Sequence, residues 1–535
     1  MDVEQQGEEQ EELSREQIEE QSGFSRRTLV KGALVGGAAL MLPQGAFAAP
    51  AATRATEARF GGRLRVGMVG GGASETLDPN QQVNEIDTAR SHILFERLTD
   101  FRPDGSIYNQ LAEEFSANKS ATVWKIKLRD GVHFHDGSRF GADDVVYSLR
   151  YMLDPKTKSQ GGSELRFLKP QNVRKLDRLT VELRLDGPNA LIPGVLSSRA
   201  IYMFKRGTTS FDKPNGTGPF KFTSWTRGER SLFSKHKDYR IARRPYLNEL
   251  EIISINDPTA RLNALGSGQV DAIQNLSSGL VPAVIGNSKL RILNSRSGVY
   301  TCQTMFCDTP PFNDVRVRQA LRLAVDRPQL VANALGGYGT VGNDLACYID
   351  PDYAKGLPQR QHDPEKAKSL LAQAGQSNLT LTLATSDVAS GMLSSSTLIA
   401  QQAKAAGITI NLDNAPTDQY WGTRYLKSPF ACTSWGYRPL DSQIAQALNK
   451  SAPYNETHWF NEQFDGITNQ ARRTLDSKKR HALWVEAQTM LHDDGGYIIW
   501  GFLNTLDAYS AKVHGLVPSV ARPLGWYTFT NVYLA

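Results

Sequence analysis

A chain of 535 residues is longer than one hydrophobic core supports, because cores stop growing near roughly 250–300 residues, so two or three domains are expected. Its 40% hydrophobic and 22% charged residues exclude both a disordered chain and a multi-span membrane protein. The net charge of +6 is scattered without any Lys/Arg stripe or run, which argues against a nucleic-acid partner.

The first 24 residues are rich in Glu and Gln and run into Ser25-Arg26-Arg27-Thr28-Leu29-Val30-Lys31. The apolar stretch Gly32 to Leu42 follows, too short to cross a bilayer, and Ala46-Phe47-Ala48 offers the small-x-small pattern of a cleavage site. Residues 1–48 are therefore expected to be an export signal, and the adjacent arginines resemble the twin-arginine type. With no Cys near the cleavage site, no lipid anchor is expected. Cleavage would remove nine acidic and four basic side chains and leave a formal charge of +11, a mild excess that suits an anionic partner better than DNA.

Residues 49–59, dominated by Ala and Thr, read as a flexible linker. Leu64, Val66 and Met68 alternate with other residues as in a strand that Gly70-Gly71-Gly72 ends. Trp124, Ile126 and Leu128 alternate with charged residues, turn at Asp130-Gly131 and resume at Val132 and Phe134, which predicts a hairpin with one wet face. Asp143 to Leu153 places Val145, Leu149 and Met152 on one helical face and stops at Asp154-Pro155. A strand is expected over Thr180 to Leu185 and a helix over Val317 to Leu335. Asp363 reads as an N-cap, Pro364 as a first-turn proline and Gly375 as a stop, with Leu370 and Leu371 on the apolar stripe. Strand Leu379 to Ala384, a helix ending at Gly407 and strand Ile408 to Leu412 complete an α/β alternation.

Four cysteines, 302, 307, 347 and 432, are expected as free thiols, since a chain this large does not need disulfides and Cys302 and Cys307 face opposite sides of a strand. His133 and His135 share a strand face, but no third ligand lies at metal-site spacing, so a solvated hairpin face is the expectation. The arginines Arg316, Arg318 and Arg322 read as surface pairing on a helix. There is no His-Glu-x-x-His and no Gly-x-Ser-x-Gly, and Asp143-Asp144 is explained by the dipole at a helix start. No catalytic residue, metal or cofactor is expected.

Several motifs occur in a set order: Leu77-Asp78-Pro79; Trp124 through Gly137; Ala142-Asp143-Asp144-Val145-Val146; Thr217-Gly218-Pro219-Phe220; Pro311-Phe312-Asn313-Asp314-Val315-Arg316 with Val317-Arg318-Gln319-Ala320-Leu321; and Asp363-Pro364-Glu365-Lys366-Ala367. From Leu64 onward the chain resembles the family 5 extracellular solute-binding proteins, which include dipeptide, oligopeptide and nickel-chelate receptors of ABC importers. The resemblance implies an α/β, two-lobed Venus-flytrap fold of the periplasmic-binding-protein type II kind with an inserted domain. It places lobe I at 60–92, 211–297 and 506–535, the insertion at 93–210 and lobe II at 298–505, with hinge crossings just before Tyr300 and near Leu506. It implies a periplasmic or secreted, non-enzymatic monomer that delivers a peptide or peptide-like ligand to a membrane permease. The same fold serving an opine-like conjugate, an oligosaccharide or a metal chelate is the alternative.

A flytrap site draws on loops facing the cleft. Gly71, Ser74 and Glu75 follow the first strand, where glycine lets backbone N–H groups approach a ligand; a dinucleotide site is excluded because the third glycine of that fingerprint is missing. Tyr300 lies at a hinge crossing. Tyr420, Trp421, Trp435 and Tyr437, with Arg438 and Asp441 beside them, could enclose a ligand or fill the core of lobe II. Asn343 and Asp344, in the loop from Gly337, could offer mixed donors and acceptors or simply turn the chain. Peptide receptors of the resembled family carry an Asp, shortly after the Trp of this segment, for the ligand's α-ammonium; here Arg438 stands there, which favours a carboxylate unless Asp441 takes that role.

Overall fold

The computed structural model describes residues 59–72, 74–520 and 522–535; the expected signal and nearly all of the expected linker lie outside the described residues. One eleven-stranded mixed sheet runs through the molecule. Its middle is the antiparallel pair of long strands Leu290–Met305 and Tyr497–Ser510. On one side follow Ala272–Ile273, Arg63–Met68, Glu249–Ser254, Arg230–Lys235 and Phe220–Thr226; on the other, Phe430–Trp435, Thr380–Thr385 and Thr409–Asn414. The eleventh, Gly339–Val341, pairs with Tyr497–Ser510.

The two long strands are continuous between both halves, but their pairing breaks register between Arg296 and Val299. Beyond that break Tyr300–Met305 pairs with Trp435–Phe430 on its other edge. Ser297 and Gly298 sit in the break; a bulge leaves residues outside the ladder and bends the strand there.

Apolar packing follows the same division. One core joins Leu64, Val66 and Ile252 to Ile126, Phe134 and Val145, so the four-stranded antiparallel sheet of Ala112–Ala117, Val123–Leu128, Thr180–Leu185 and Leu168–Lys175 packs continuously with the first-half strands. Separate clusters around Leu321, Leu383 and Trp500 and around Tyr300, Trp435 and Trp484 fill the second half.

The Asp363 side chain caps the helix Pro364–Gln373 through Lys366 N at 2.9 Å, and Gly375 turns left-handed at φ 71°. Parallel strands Thr380–Thr385 and Thr409–Asn414 flank the helix Met392–Ala403. All four cysteines are free, three of them buried.

Three expectations fail for physical reasons. Val123–Leu128 does not pair with Val132 and Phe134; its partners are Ala112–Ala117 and Thr180–Leu185, because residues 132–140 close on themselves through Phe140 N to Val132 O and Phe134 N to Ser138 O. His135 is buried, not solvated. It accepts from Gly216 N at 3.3 Å, contacts Gly218 O through Nε2 at 3.1 Å and meets the His236 ring edge-on. These bonds fix the neutral imidazole, and burial lowers its pKa to about 3. The Val317 to Leu335 helix is two helices, Val315–Leu323 and Arg327–Ala334, since Asp326 caps the second through Gln329 N and Pro328 follows.

Of the three arginines, Arg316 is exposed on Asp314, while Arg318 and Arg322 are buried. Arg322 donates to the carbonyls of Tyr497, His492 and Gly495, and Arg318 to those of Phe312 and Asp494. They satisfy the orphan carbonyls ending the helix Ser477–Asp494, where its dipole favours cations.

Candidate functional site

Several of the expected site residues belong to the scaffold. Gly71 (φ 106°) is glycine because a Cβ would run into the Ser254 hydroxyl, which donates to Gly70 O. Ser74 is exposed. Glu75 is 2% exposed and accepts from Trp225 Nε1 and Gly228 N, both at 3.1 Å, with the Arg90 guanidinium at 3.2 Å. It braces the interior rather than offering a free carboxylate.

Asp344 is likewise a buried brace. It accepts two bonds from Arg327 at 2.8 and 2.7 Å and one from Arg360 at 2.7 Å. Burial opposes its charge, but Arg327, Arg322 and Arg360 together hold its pKa below the ordinary value. Asn343 ties the same loop to Pro358 O and Arg360 N. Tyr420 is fully buried and donates to Cys432 O; Tyr300 is buried and accepts from Gln443 Nε2 at 3.1 Å. Trp421 lies exposed against Tyr420 and Tyr425. Asp441 is half-buried and ion-paired with Arg472.

Three expected residues do converge with others. Trp435 ends the strand Phe430–Trp435, and its Nε1 donates at 2.7 Å to the buried Glu456. The Arg438 guanidinium lies over the Trp435 ring, 4.8 Å from its centroid, and has no hydrogen-bond or ion-pair partner among the described residues. Tyr437 fills the space over Gly298 in the register break and meets Phe101 edge-on at 6.5 Å.

Phe101 in turn meets Trp526 at 5.9 Å, so rings from three distant segments adjoin. Trp526 belongs to a run, Leu524 to Tyr527, with every φ between 47° and 67°, a conformation that costs non-glycine residues about 1–2 kcal/mol each. Asp507 helps hold it by accepting from Leu524 N at 2.6 Å, and burial raises that carboxyl to about 7.

Charged groups surround the rings. Glu85 accepts from Arg522 and from Tyr527, each at 2.7 Å, and lies 3.9 Å from Arg199. Glu164 is open to water, yet desolvation raises its pKa, against a hydrogen bond from Ser198 and the charges of Arg199 and Arg438. Burial also lowers Arg199, helped by Arg522 and opposed by Glu85 and Glu164. Arg522 and Arg199 thus stand by Glu85 next to Trp526, and Arg438 lies over Trp435 beside Tyr437, whose ring joins the same aromatic group.

Phe101, Glu164, Arg199, Arg522 and Trp526 carried no sequence signal: Phe101 ends the strand Thr99–Phe101, Glu164 ends the helix Gln160–Glu164, Arg199 lies in a turn, and Arg522 and Trp526 bound the short segment Pro523–Trp526. Glu85 reads in sequence as an ordinary first-turn acid. Among the described residues no group of three or more His, Cys, Asp or Glu side chains could hold a metal ion, and no helix is long and apolar enough to cross a membrane.

A family model described as bacterial extracellular solute-binding proteins, family 5 Middle, matches residues 106–454. The glutathione-binding protein GsiB of Pectobacterium atrosepticum is 25% identical over 468 residues, 83% of this chain and 90% of that one. The periplasmic binding protein DppA of Helicobacter pylori in complex with the peptide STSA has 22% identity and a TM-score of 0.69, over 89% of this chain and 98% of that one. The murein tripeptide-binding protein MppA in its unliganded open form has 20% identity and a TM-score of 0.76, over 85% and 94%.

Proposed function

Because the chain belongs to the family 5 bacterial extracellular solute-binding proteins, we propose that it captures a peptide-like solute between two lobes and hands it to the permease of an ABC importer. It is a binding protein and not an enzyme, as its relatives are. The observation that carries the reading is the meeting of Phe101, Trp526 and Tyr437, one ring from each of the three segments expected as insertion, first lobe and second lobe. Rigid aromatic faces enclose a ligand at low entropic cost.

In this reading residues 60–92, 211–297 and 506–535 act as the first lobe, 93–210 as the insertion and 298–505 as the second lobe. The long strands Leu290–Met305 and Tyr497–Ser510 connect them, and the break at Ser297–Gly298 is where bending costs fewest ladder bonds. Ligand contacts made by both lobes exist in the closed form alone, so binding shifts the population toward closure.

Small-angle scattering of the protein purified without residues 1–48, before and after adding a solute confirmed to bind by calorimetry, tests this. A smaller radius of gyration with solute is expected; an identical radius would overturn the two-lobed mechanism. Export through Arg26-Arg27 and cleavage after Ala48, giving an unanchored monomer, belong to the same proposal. Replacing both arginines by Lys should leave uncleaved protein in the cytoplasm, and unchanged export would reject the twin-arginine route.

A further inference from the structure

We infer that the solute is an anion, held by a carboxylate or an equivalent acidic group between Arg199 and Arg438, and that it needs no free ammonium; this rests on the receptor reading above. Three guanidiniums, Arg199, Arg438 and Arg522, stand near two carboxylates, Glu85 and Glu164. Of the three, Arg522 is committed: it donates to Glu85 at 2.7 Å. Arg199 approaches Glu85 at 3.9 Å, with no side-chain hydrogen bond among the described residues. Arg438 has no side-chain hydrogen bond or ion pair among the described residues, and its guanidinium lies over the Trp435 face. Two planar, five-donor groups are therefore left with their hydrogen-bonding capacity unspent.

Their positions make the pair selective. Arg199 comes from the inserted segment and stands by Glu85, which binds Arg522 and Tyr527 beside Trp526, while Arg438 comes from the second half and follows Tyr437, whose ring meets Phe101 of the same aromatic group. Closure without a solute would leave the two guanidiniums only Glu164 to share in a drying site, whereas an acidic solute group bridging them supplies two further charge-assisted hydrogen bonds. An ammonium has the opposite prospect. Glu85 is occupied by Arg522 and Tyr527, and Asp441 by Arg472, so the remaining carboxylate, Glu164, would face a cation under the field of two arginines.

The test uses the full chain without residues 1–48, freed of bound solutes by unfolding and refolding, in low salt. The solutes released on unfolding are identified by mass spectrometry and returned in calorimetric titrations. Two probes accompany them, N-acetyl-trialanine with a free carboxylate and trialanine amide with a free ammonium. The expectation is released solutes that bear an acidic group, binding of the acetylated acid and not of the amide, and affinity weakened at least tenfold in both R199Q and R438Q, with R316Q unchanged. Binding of trialanine amide in preference to the acid, or a released solute that binds R438Q as tightly as the parent, would overturn the anionic assignment and leave the receptor reading standing. No released solute and no binding of either probe would overturn both.

Discussion

The carboxyl of Glu456 offers a stability test that can be worked from the structure. It is 1% exposed, takes hydrogen bonds from Trp435 Nε1 at 2.7 Å and Tyr497 Oη at 2.9 Å, and is pushed by burial from 4.5 to about 7. Between those values the folded chain keeps a proton that the unfolded chain has released. Its stabilising contribution is therefore complete below pH 4.5 and is lost as the pH rises through 7. A shift of that size corresponds to about 3 kcal/mol, of which about 2.5 kcal/mol falls between pH 5 and 8.

In E456Q the amide stays neutral at every pH. Whatever the amide costs in hydrogen bonding is the same at both pH values, and the other titrating groups, such as Asp507 on one side and His135 on the other, cancel when variant and parent are compared. Urea unfolding of parent and variant at pH 5 and pH 8 measures the difference. Relative to its parent, E456Q should gain about 2–3 kcal/mol at pH 8 over its standing at pH 5. Equal differences at the two pH values would refute the claim that this carboxyl is held protonated under Trp435.

D344N should lower stability by about 3–5 kcal/mol, because it leaves Arg327 and Arg360 buried with a weakened partner. Affinity for a confirmed solute should be unchanged in the folded fraction, and a selective loss of affinity would return Asp344 to the site. G298A places a Cβ 2.6 Å from the Tyr437 ring; it should cost about 1–3 kcal/mol in urea unfolding and reduce solute-induced compaction in small-angle scattering. W435F strips a donor from buried Glu456 and should destabilise by about 1–3 kcal/mol, read as a fall in the urea midpoint.

The sequence by itself determined what depends on neighbouring residues. The Asp363 cap with Pro364, the Gly375 stop, the alternation of Thr180–Leu185 and the parallel strands about the helix Met392–Ala403 are all local signals, and the chain folds as they indicate. Ordered motifs over most of the chain were enough to name the family. Partnership between distant segments was not legible, because burial and charge pairing depend on what tertiary folding brings alongside. Arg318 and Arg322 have the spacing of surface helix residues, yet they end in the carbonyls of a helix some 170 residues away. Glu75 and Asp344 look like free polar groups in glycine-rich loops, but Arg90, Arg327 and Arg360 consume them. Glu85, Arg199, Arg438 and Arg522 come near one aromatic group only when the long paired strands bring three segments together. A local pattern can specify a turn or a face; which charge meets which across hundreds of residues is decided by the packed chain alone.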